Sequence, residues 1–97
     1  MLVVHFAVKA RPERAAEVRA ALAAVVPVAR TTQGVISFDI AADLTDEHRF
    51  VATEVFEDQA ARARQEALPE VAAVMALLPT ALANPPALSA YETGTIS

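Results

Sequence analysis

The order of strand-like and helix-like segments restricts the fold of this chain more than any other feature of its sequence. Residues 2–9, 35–42 and 48–57 place apolar side chains at alternate positions, which is the pattern of a strand with one buried face. A shorter extended segment is expected at 87–92. The second and third strands are joined by polar residues 43–47, which predicts an antiparallel hairpin.

Two helical regions are expected between these strands. Pro12 suits the first turn of a helix because its φ is fixed and it has no N–H to leave unpaired. Apolar residues then recur at helical spacing up to Pro27, where a kink or an end is expected. Asp58 is the expected N-cap of the second region, which restarts at Pro69. The sequence Asn84-Pro-Pro86 ends it, since consecutive prolines cannot continue a helix.

The resulting order is strand, helix, strand, strand, helix, strand. It predicts an α+β protein with the ferredoxin-like split βαβ fold, in which a four-stranded antiparallel sheet carries its helices on one face. We expect a single domain over residues 1–92 and a C-terminal tail over 93–97.

The second face of such a sheet needs a cover. Depending on register it carries Phe50 and Phe56 or Val51 and Val55, and neither pair is suited to water. The core is also thin, because 23 residues are alanine and a domain of this length buries a smaller share of its surface than a larger one. Two sheets packed face to face would bury the apolar second face and enlarge the core. We therefore predict a homodimer, which forms a dimeric α/β barrel with a cavity in each subunit.

Charge and residue usage argue against several classes of partner. The net charge is −4 and the eight Lys and Arg residues are scattered, whereas a nucleic-acid-binding protein gathers them into a stripe. No apolar run approaches the ~20 residues of a membrane span. The chain has no cysteine, and His5 and His48 are far apart. We therefore expect no metal site, no membrane or nucleic-acid partner and a cytoplasmic location.

Three segments resemble the antibiotic biosynthesis monooxygenase family, and the likeness extends over nearly the whole chain. They are Arg49-Phe-Val-Ala-Thr-Glu-Val-Phe-Glu-Asp58, Leu68-Pro-Glu70 and Asn84-Pro-Pro-Ala-Leu-Ser-Ala-Tyr-Glu92. The resemblance implies a dimeric α+β barrel. It also implies a range of activities, since the superfamily includes cofactor-independent quinol monooxygenases, heme-degrading enzymes, an isomerase and proteins without known activity.

The functional residues of the family are only partly present. Its Glu-x-Trp-x-Asp segment is Glu54-Val-Phe56-Glu-Asp58 here, so Phe56 replaces an aromatic residue that lines the family's cavity. Two family histidines fall on Gln65 and Glu70. Heme-degrading members use an asparagine, a tryptophan and a histidine. His5 stands at the place of the asparagine and Phe56 at that of the tryptophan, and the histidine has no counterpart. Heme degradation is therefore not expected.

Two residues are candidates for the catalytic base. His5 alternates with the residues that the helices are expected to cover, so it should face the other side of the sheet and the cavity, where it could accept a phenolic proton. It could equally be hydrogen-bonded across the sheet or lie at the dimer seam. Glu54 shares a face with phenylalanines that would desolvate it and raise its pKa. Alternatively it forms an ion pair with Arg49, Arg62 or Arg64.

The predicted substrate-binding residues are the large apolar ones, the two at the positions of the family's histidines, and the single tyrosine. They are Phe38, Phe50, Phe56, Gln65, Glu70, Met75 and Tyr91. The phenylalanines and Met75 could instead be plain core. Tyr91 could instead pack at a dimer interface.

The leading functional hypothesis is a monooxygenase that oxidises a quinol or polycyclic aromatic molecule with O2 and needs no cofactor. The first alternative is a non-catalytic binding or structural dimer of the same fold. An isomerase of a small carbonyl compound ranks lowest, because it would need cationic groups in the cavity and only Lys9 and Arg49 are placed to provide them.

Overall fold

A computed structural model describes residues 1–94, so residues 95–97 of the expected tail lie outside the described part of the chain. The strands are β1 (Leu2–Lys9), β2 (Val35–Asp43), β3 (Asp46–Phe56) and β4 (Ala87–Glu92). The helices are α1 (Ala15–Arg30), α2 (Gln59–Glu66) and α3 (Pro69–Ala81), and a 3₁₀ turn (Pro12–Arg14) precedes α1. The sheet is antiparallel in the order β2-β3-β1-β4. The predicted ferredoxin-like fold is confirmed.

The pairing of β1 with β3 decides which side chains share a face. Leu2 pairs with Phe56 and Val4 with Glu54, and these residues lie on the face that the helices cover, called here the covered face. Alternate residues point to the opposite side. Val51 and Val55, rather than the phenylalanines, are therefore on the second face, called here the open face.

The apolar core on the covered face has two parts. The larger lies between the sheet, α1 and α3 and includes Phe38 and Phe50. The smaller contains Leu2, Val4, Phe56 and Ala61. Glu54 pairs with Val4 on one side and with Phe38 on the other, so this carboxyl group lies where the two parts of the core meet.

The sequence predicted that α1 kinks or ends near Pro27, and the helix ends three residues beyond it. The helix continues past Pro27 to Arg30, because the missing N–H removes only the hydrogen bond to the carbonyl of Ala23. Both residues are exposed, so water can satisfy that carbonyl. The Asp58 N-cap is confirmed, since its carboxylate accepts a hydrogen bond from the Ala61 N–H at 2.9 Å.

Gly34 sets the approach of α2 to the start of β2. Its φ of +87° is one that side chains rarely allow. A Cβ placed there would lie 2.5 Å from the Cβ of Ala61. A larger residue would therefore displace α2, which carries part of the site described below.

The open face is bare of helices in the part of the chain that the structure describes. It includes Val3, Val51 and Val55, which are half-buried, and the exposed His5 and Asp39. All six residues of β4 are exposed. Over residues 1–94 no helix is both long enough and apolar enough to cross a bilayer.

Candidate functional site

A cavity of about 330 Å³ lies between the covered face and helices α2 and α3. Its apolar lining consists of Val4, Val71, Met75 and Leu88. Its polar lining consists of Glu54, Arg62, Gln65 and Glu66. A largely apolar hollow with a few convergent polar groups is the usual form of a small-molecule site. We call it the Glu54 cavity.

Two elements supply the polar wall. Glu54 points into the cavity from the middle of β3, beside Val4 of β1. Arg62, Gln65 and Glu66 are three and four positions apart on α2, and this spacing places side chains on one face of a helix. The N-cap at Asp58 and the close contact at Gly34 fix that helix over the sheet.

Gln65 is the only buried polar side chain among residues 1–94, with 4% of its surface exposed. Burying an amide is unfavourable unless it finds a hydrogen-bonding partner. In this position the amide faces the cavity, where it can donate to or accept from a bound molecule.

The strongest electrostatic feature of the site is the Glu54 carboxyl. Burial raises its pKa from 4.5 to about 7, Arg62 opposes that rise, and Glu66 adds to it. Burial is the largest of these effects. Because the resulting pKa is close to neutral pH, the carboxyl is close to half-protonated there. A group in that state can both accept and return a proton, as general acid–base catalysis requires.

Arg62 does not neutralise Glu54 fully because it is already paired. Its Nε donates to the Glu66 carboxylate at 2.7 Å. The Arg62 side chain is one-fifth exposed and that of Glu66 about half exposed. The pair therefore lies at the rim of the cavity, where its charges partly cancel.

The structure brings three of the predicted site residues together: Glu54, Gln65 and Met75. The predicted phenylalanines lie elsewhere. Phe56 is completely buried in the smaller part of the core, and Phe38 and Phe50 belong to the larger part. All three side chains pack in the core, and Phe50 also lines a groove between α1 and β2.

The remaining predicted residues also lie outside the Glu54 cavity. His5 is on the open face, as expected, where it pairs with Thr53 and Ser89. The cavity, however, is on the covered face, so His5 and Glu54 do not meet. Tyr91 is 59% exposed on β4, and Glu70 is in the first turn of α3.

The two cations considered for an isomerase are also outside the cavity. Lys9 and Arg49 are paired neighbours at the end of the open face. Lys9 lies 3.0 Å from the Asp46 carboxylate, and Arg49 lies 2.9 Å from that of Asp43. Neither is available to a molecule in the Glu54 cavity.

Sequence reasoning missed five of the lining residues: Val4, Arg62, Glu66, Val71 and Leu88. The spacing of Arg62 and Glu66 around Gln65 was the available signal, because it places all three on one helical face. Leu88 gave no comparable signal, since its role depends on the register of β4 with β1. Within the described residues, no group of three or more His, Asp or Glu side chains is close enough together to hold a metal ion.

The shifted pKa of Glu54 has a consequence for stability. The folded state binds this proton more tightly than the unfolded chain, so the stabilisation is present at acid pH and is lost as pH rises towards 7. Relative to Glu54→Gln, the wild type should lose roughly 2–3 kcal/mol of unfolding free energy between pH 5 and pH 8. Urea unfolding at both pH values and equal protein concentration measures this. The exposed Glu57 provides the control Glu57→Gln, and equal pH dependence in all three proteins would contradict the prediction.

Comparison with known proteins gives the same architecture. Residues 1–77 match the family model described as antibiotic biosynthesis monooxygenase. A candidate antibiotic biosynthesis monooxygenase from Deinococcus radiodurans is 26% identical, with a TM-score of 0.88 over 100% of this chain and 96% of that one. Rv0793 from Mycobacterium tuberculosis is 20% identical, with a TM-score of 0.89 over 99% and 97%. PA3566 from Pseudomonas aeruginosa is 22% identical, with a TM-score of 0.87 over 97% and 94%. No curated protein is significantly similar in sequence.

Proposed function

This chain belongs to the antibiotic biosynthesis monooxygenase family, and on that premise we propose that it oxidises a quinol or polycyclic aromatic substrate with O2 in the Glu54 cavity, without a cofactor. The observation that carries this proposal is the Glu54 carboxyl, whose pKa is about 7 inside a mainly apolar hollow. A base of that pKa is suited to removing a phenolic or activated C–H proton at neutral pH.

The reaction can be written for a substrate with an activated ring methylene group beside an aromatic ketone. Glu54 takes one methylene proton, which leaves an electron-rich enolate that reacts directly with O2. One oxygen atom becomes a new carbonyl oxygen, and the other leaves as water with the two methylene hydrogens. The substrate supplies all four electrons, and Glu54 passes on the proton it accepted.

The other lining residues have supporting roles in this proposal. The buried Gln65 amide is placed to hydrogen-bond a substrate oxygen. Val4 and Val71 exclude water from the enolate. Met75 and Leu88 are each about half exposed, so we assign the entrance for the organic substrate to their side of the cavity.

We also propose that the working form is a homodimer joined through the open face. Supporting this are the half-buried valines at the centre of that face and the exposed Tyr91, which β4 places on the same face beside Val3. Apolar surface of this kind favours contact with another protein surface. A second copy packed sheet to sheet would cover it with the same patch on both subunits.

The test is to incubate the purified protein with a panel of anthrones and quinols. An oxygen electrode measures the rate of O2 consumption, and the products are then identified. We expect uptake above the uncatalysed rate for at least one substrate, and one oxygen atom from ¹⁸O2 in the product. Uptake that never exceeds the protein-free rate would overturn the proposal.

A non-catalytic binding protein of the same fold is the second candidate. The observation that favours it is that Gln65 and Glu70 stand where the family resemblance places histidines. It predicts that the same panel raises the melting temperature in a saturable way without any turnover.

A further inference from the structure

An open groove of about 410 Å³ lies between α1 and the hairpin ends of β2 and β3. We call it the outer groove. It shares no lining residue with the Glu54 cavity, so whatever binds there does not need that cavity to be empty. Its volume is within the range of small-molecule sites.

The wall of the outer groove is mainly apolar. Ala23 of α1 and Ala42 of β2 line it and are exposed, so short side chains leave the gap between helix and strand open. Val26 and Ile40 line it and are half-buried, and Phe50 is buried. A flat apolar molecule that covered this wall would remove apolar surface from water.

The charged residues that line the outer groove are both arginines, Arg19 and Arg30, although the chain has a net charge of −4. No carboxylate of the described residues lines it. The Arg30 guanidinium is already engaged, because its Nε donates to the Phe38 carbonyl and its Nη2 to the Asp39 carboxylate, both at 2.9 Å. Arg30 is therefore held in place, and its charge is partly compensated.

Arg19 is the exception among the basic side chains. The other seven of the eight Lys and Arg residues each donate to a carboxylate or a backbone carbonyl. Within residues 1–94, Arg19 has no such partner. It lies four positions before Ala23 on α1, which places the two on one face of the helix, beside the groove. A guanidinium group in this position can hold a carboxylate through two parallel hydrogen bonds.

We propose that the outer groove is a second ligand site that binds an aromatic carboxylate, a molecule with a flat apolar body of two or three rings and one carboxylate group. Arg19 holds the carboxylate, and the apolar body lies against Val26 and Ile40. The charged lining consists of arginines, and none of the lining side chains can accept a proton at neutral pH. The site is therefore one of binding and not of turnover, and it does not rest on the proposed function.

Isothermal titration calorimetry with 2-naphthoate tests the role of Arg19. Wild type should bind one molecule per chain in the groove, and Arg19→Gln should weaken that binding roughly tenfold or more, because a charge-assisted contact is lost. Arg14→Gln is the matched control, since Arg14 is on the same side of the sheet but is paired with Glu17 and does not line the groove. The uncharged 2-naphthamide should bind wild type and Arg19→Gln equally.

A second pair of variants tests the location. Ala23→Leu places a larger side chain in the outer groove, and Ala24→Leu adds the same group at the next position, which is also exposed but does not line the groove. Both substitutions keep a good helix former on the helix surface, so both proteins should fold. Ala23→Leu should weaken binding of 2-naphthoate roughly tenfold or more, and Ala24→Leu should leave it unchanged.

Three results would overturn the proposal. The first is no binding of 2-naphthoate to wild type. The second is equal binding by wild type, Arg19→Gln and Ala23→Leu, which would place the molecule elsewhere, for example in the Glu54 cavity. The third is a change of oligomeric state in Ala23→Leu but not in Ala24→Leu, measured by sedimentation velocity, which would make the groove a contact between copies of this chain.

Discussion

Replacing Glu54 with glutamine is expected to lower kcat/KM for the organic substrate by about 10²- to 10⁴-fold, which is the usual contribution of a general base. Glutamine preserves the shape of the side chain but cannot accept the substrate proton. The folded structure should persist, because the substitution removes a buried carboxyl rather than a packing contact. Steady-state O2 consumption at saturating O2 measures the effect.

The pH profile identifies the base more directly than the loss of rate. In the wild type, kcat/KM should rise with pH through the Glu54 pKa of about 7 and then level off, because only the carboxylate accepts a proton. His5→Ala and Glu57→Gln are the controls, since His5 lies on the open face and Glu57 is exposed. Loss of turnover in His5→Ala with an unaffected Glu54→Gln would reverse the assignment.

A charge at Val55 is expected to prevent formation of the proposed dimer and to destabilise the subunit. Val55 is half-buried on the open face, between Val3 of β1 and Ser37 of β2. An unpaired carboxylate at a buried interface costs several kcal/mol, so Val55→Glu should not associate. Because the subunit core is thin, the released monomer should also unfold at a lower urea concentration.

Sedimentation velocity and urea titration at several protein concentrations measure these effects. Ala20→Glu adds the same charge at an exposed position on α1 and should leave both the dimer and its stability unchanged. A wild type that is monomeric at micromolar concentration, or a dimeric Val55→Glu, would rule out assembly through the open face.

The fold was predictable from the sequence because the strand pattern, the helix pattern and the signals at the ends of the helices all indicate the same order of elements. Alternation in residues 2–9 and 48–57 identifies strands with one apolar face, and Asp58 marks the start of α2 by satisfying the Ala61 N–H. What the pattern could not give is the register of the hairpin. That register decides whether phenylalanines or valines face the helices, and only the paired strands fix it.

The site was predictable in part for the same reason. Glu54 was identified from its apolar neighbours on one strand, and the structure places it in an environment that raises its pKa. Phe56 was assigned to the cavity through the family resemblance, but it packs against Leu2 and Ala61 instead. The helix side of the cavity depends on how α2 lies over the sheet, and the contact of Gly34 with that helix cannot be read from spacing along the chain.

The last strand has a consequence for dynamics. In the single subunit all of its residues are exposed, so β4 is held there mainly by its backbone hydrogen bonds to β1. Segments with so little apolar burial open at a small fraction of the global unfolding free energy. Amide hydrogens of β4 should therefore exchange with solvent sooner than those of β3, which is paired on both sides. Since Leu88 belongs to β4, each such local opening also removes one wall of the Glu54 cavity.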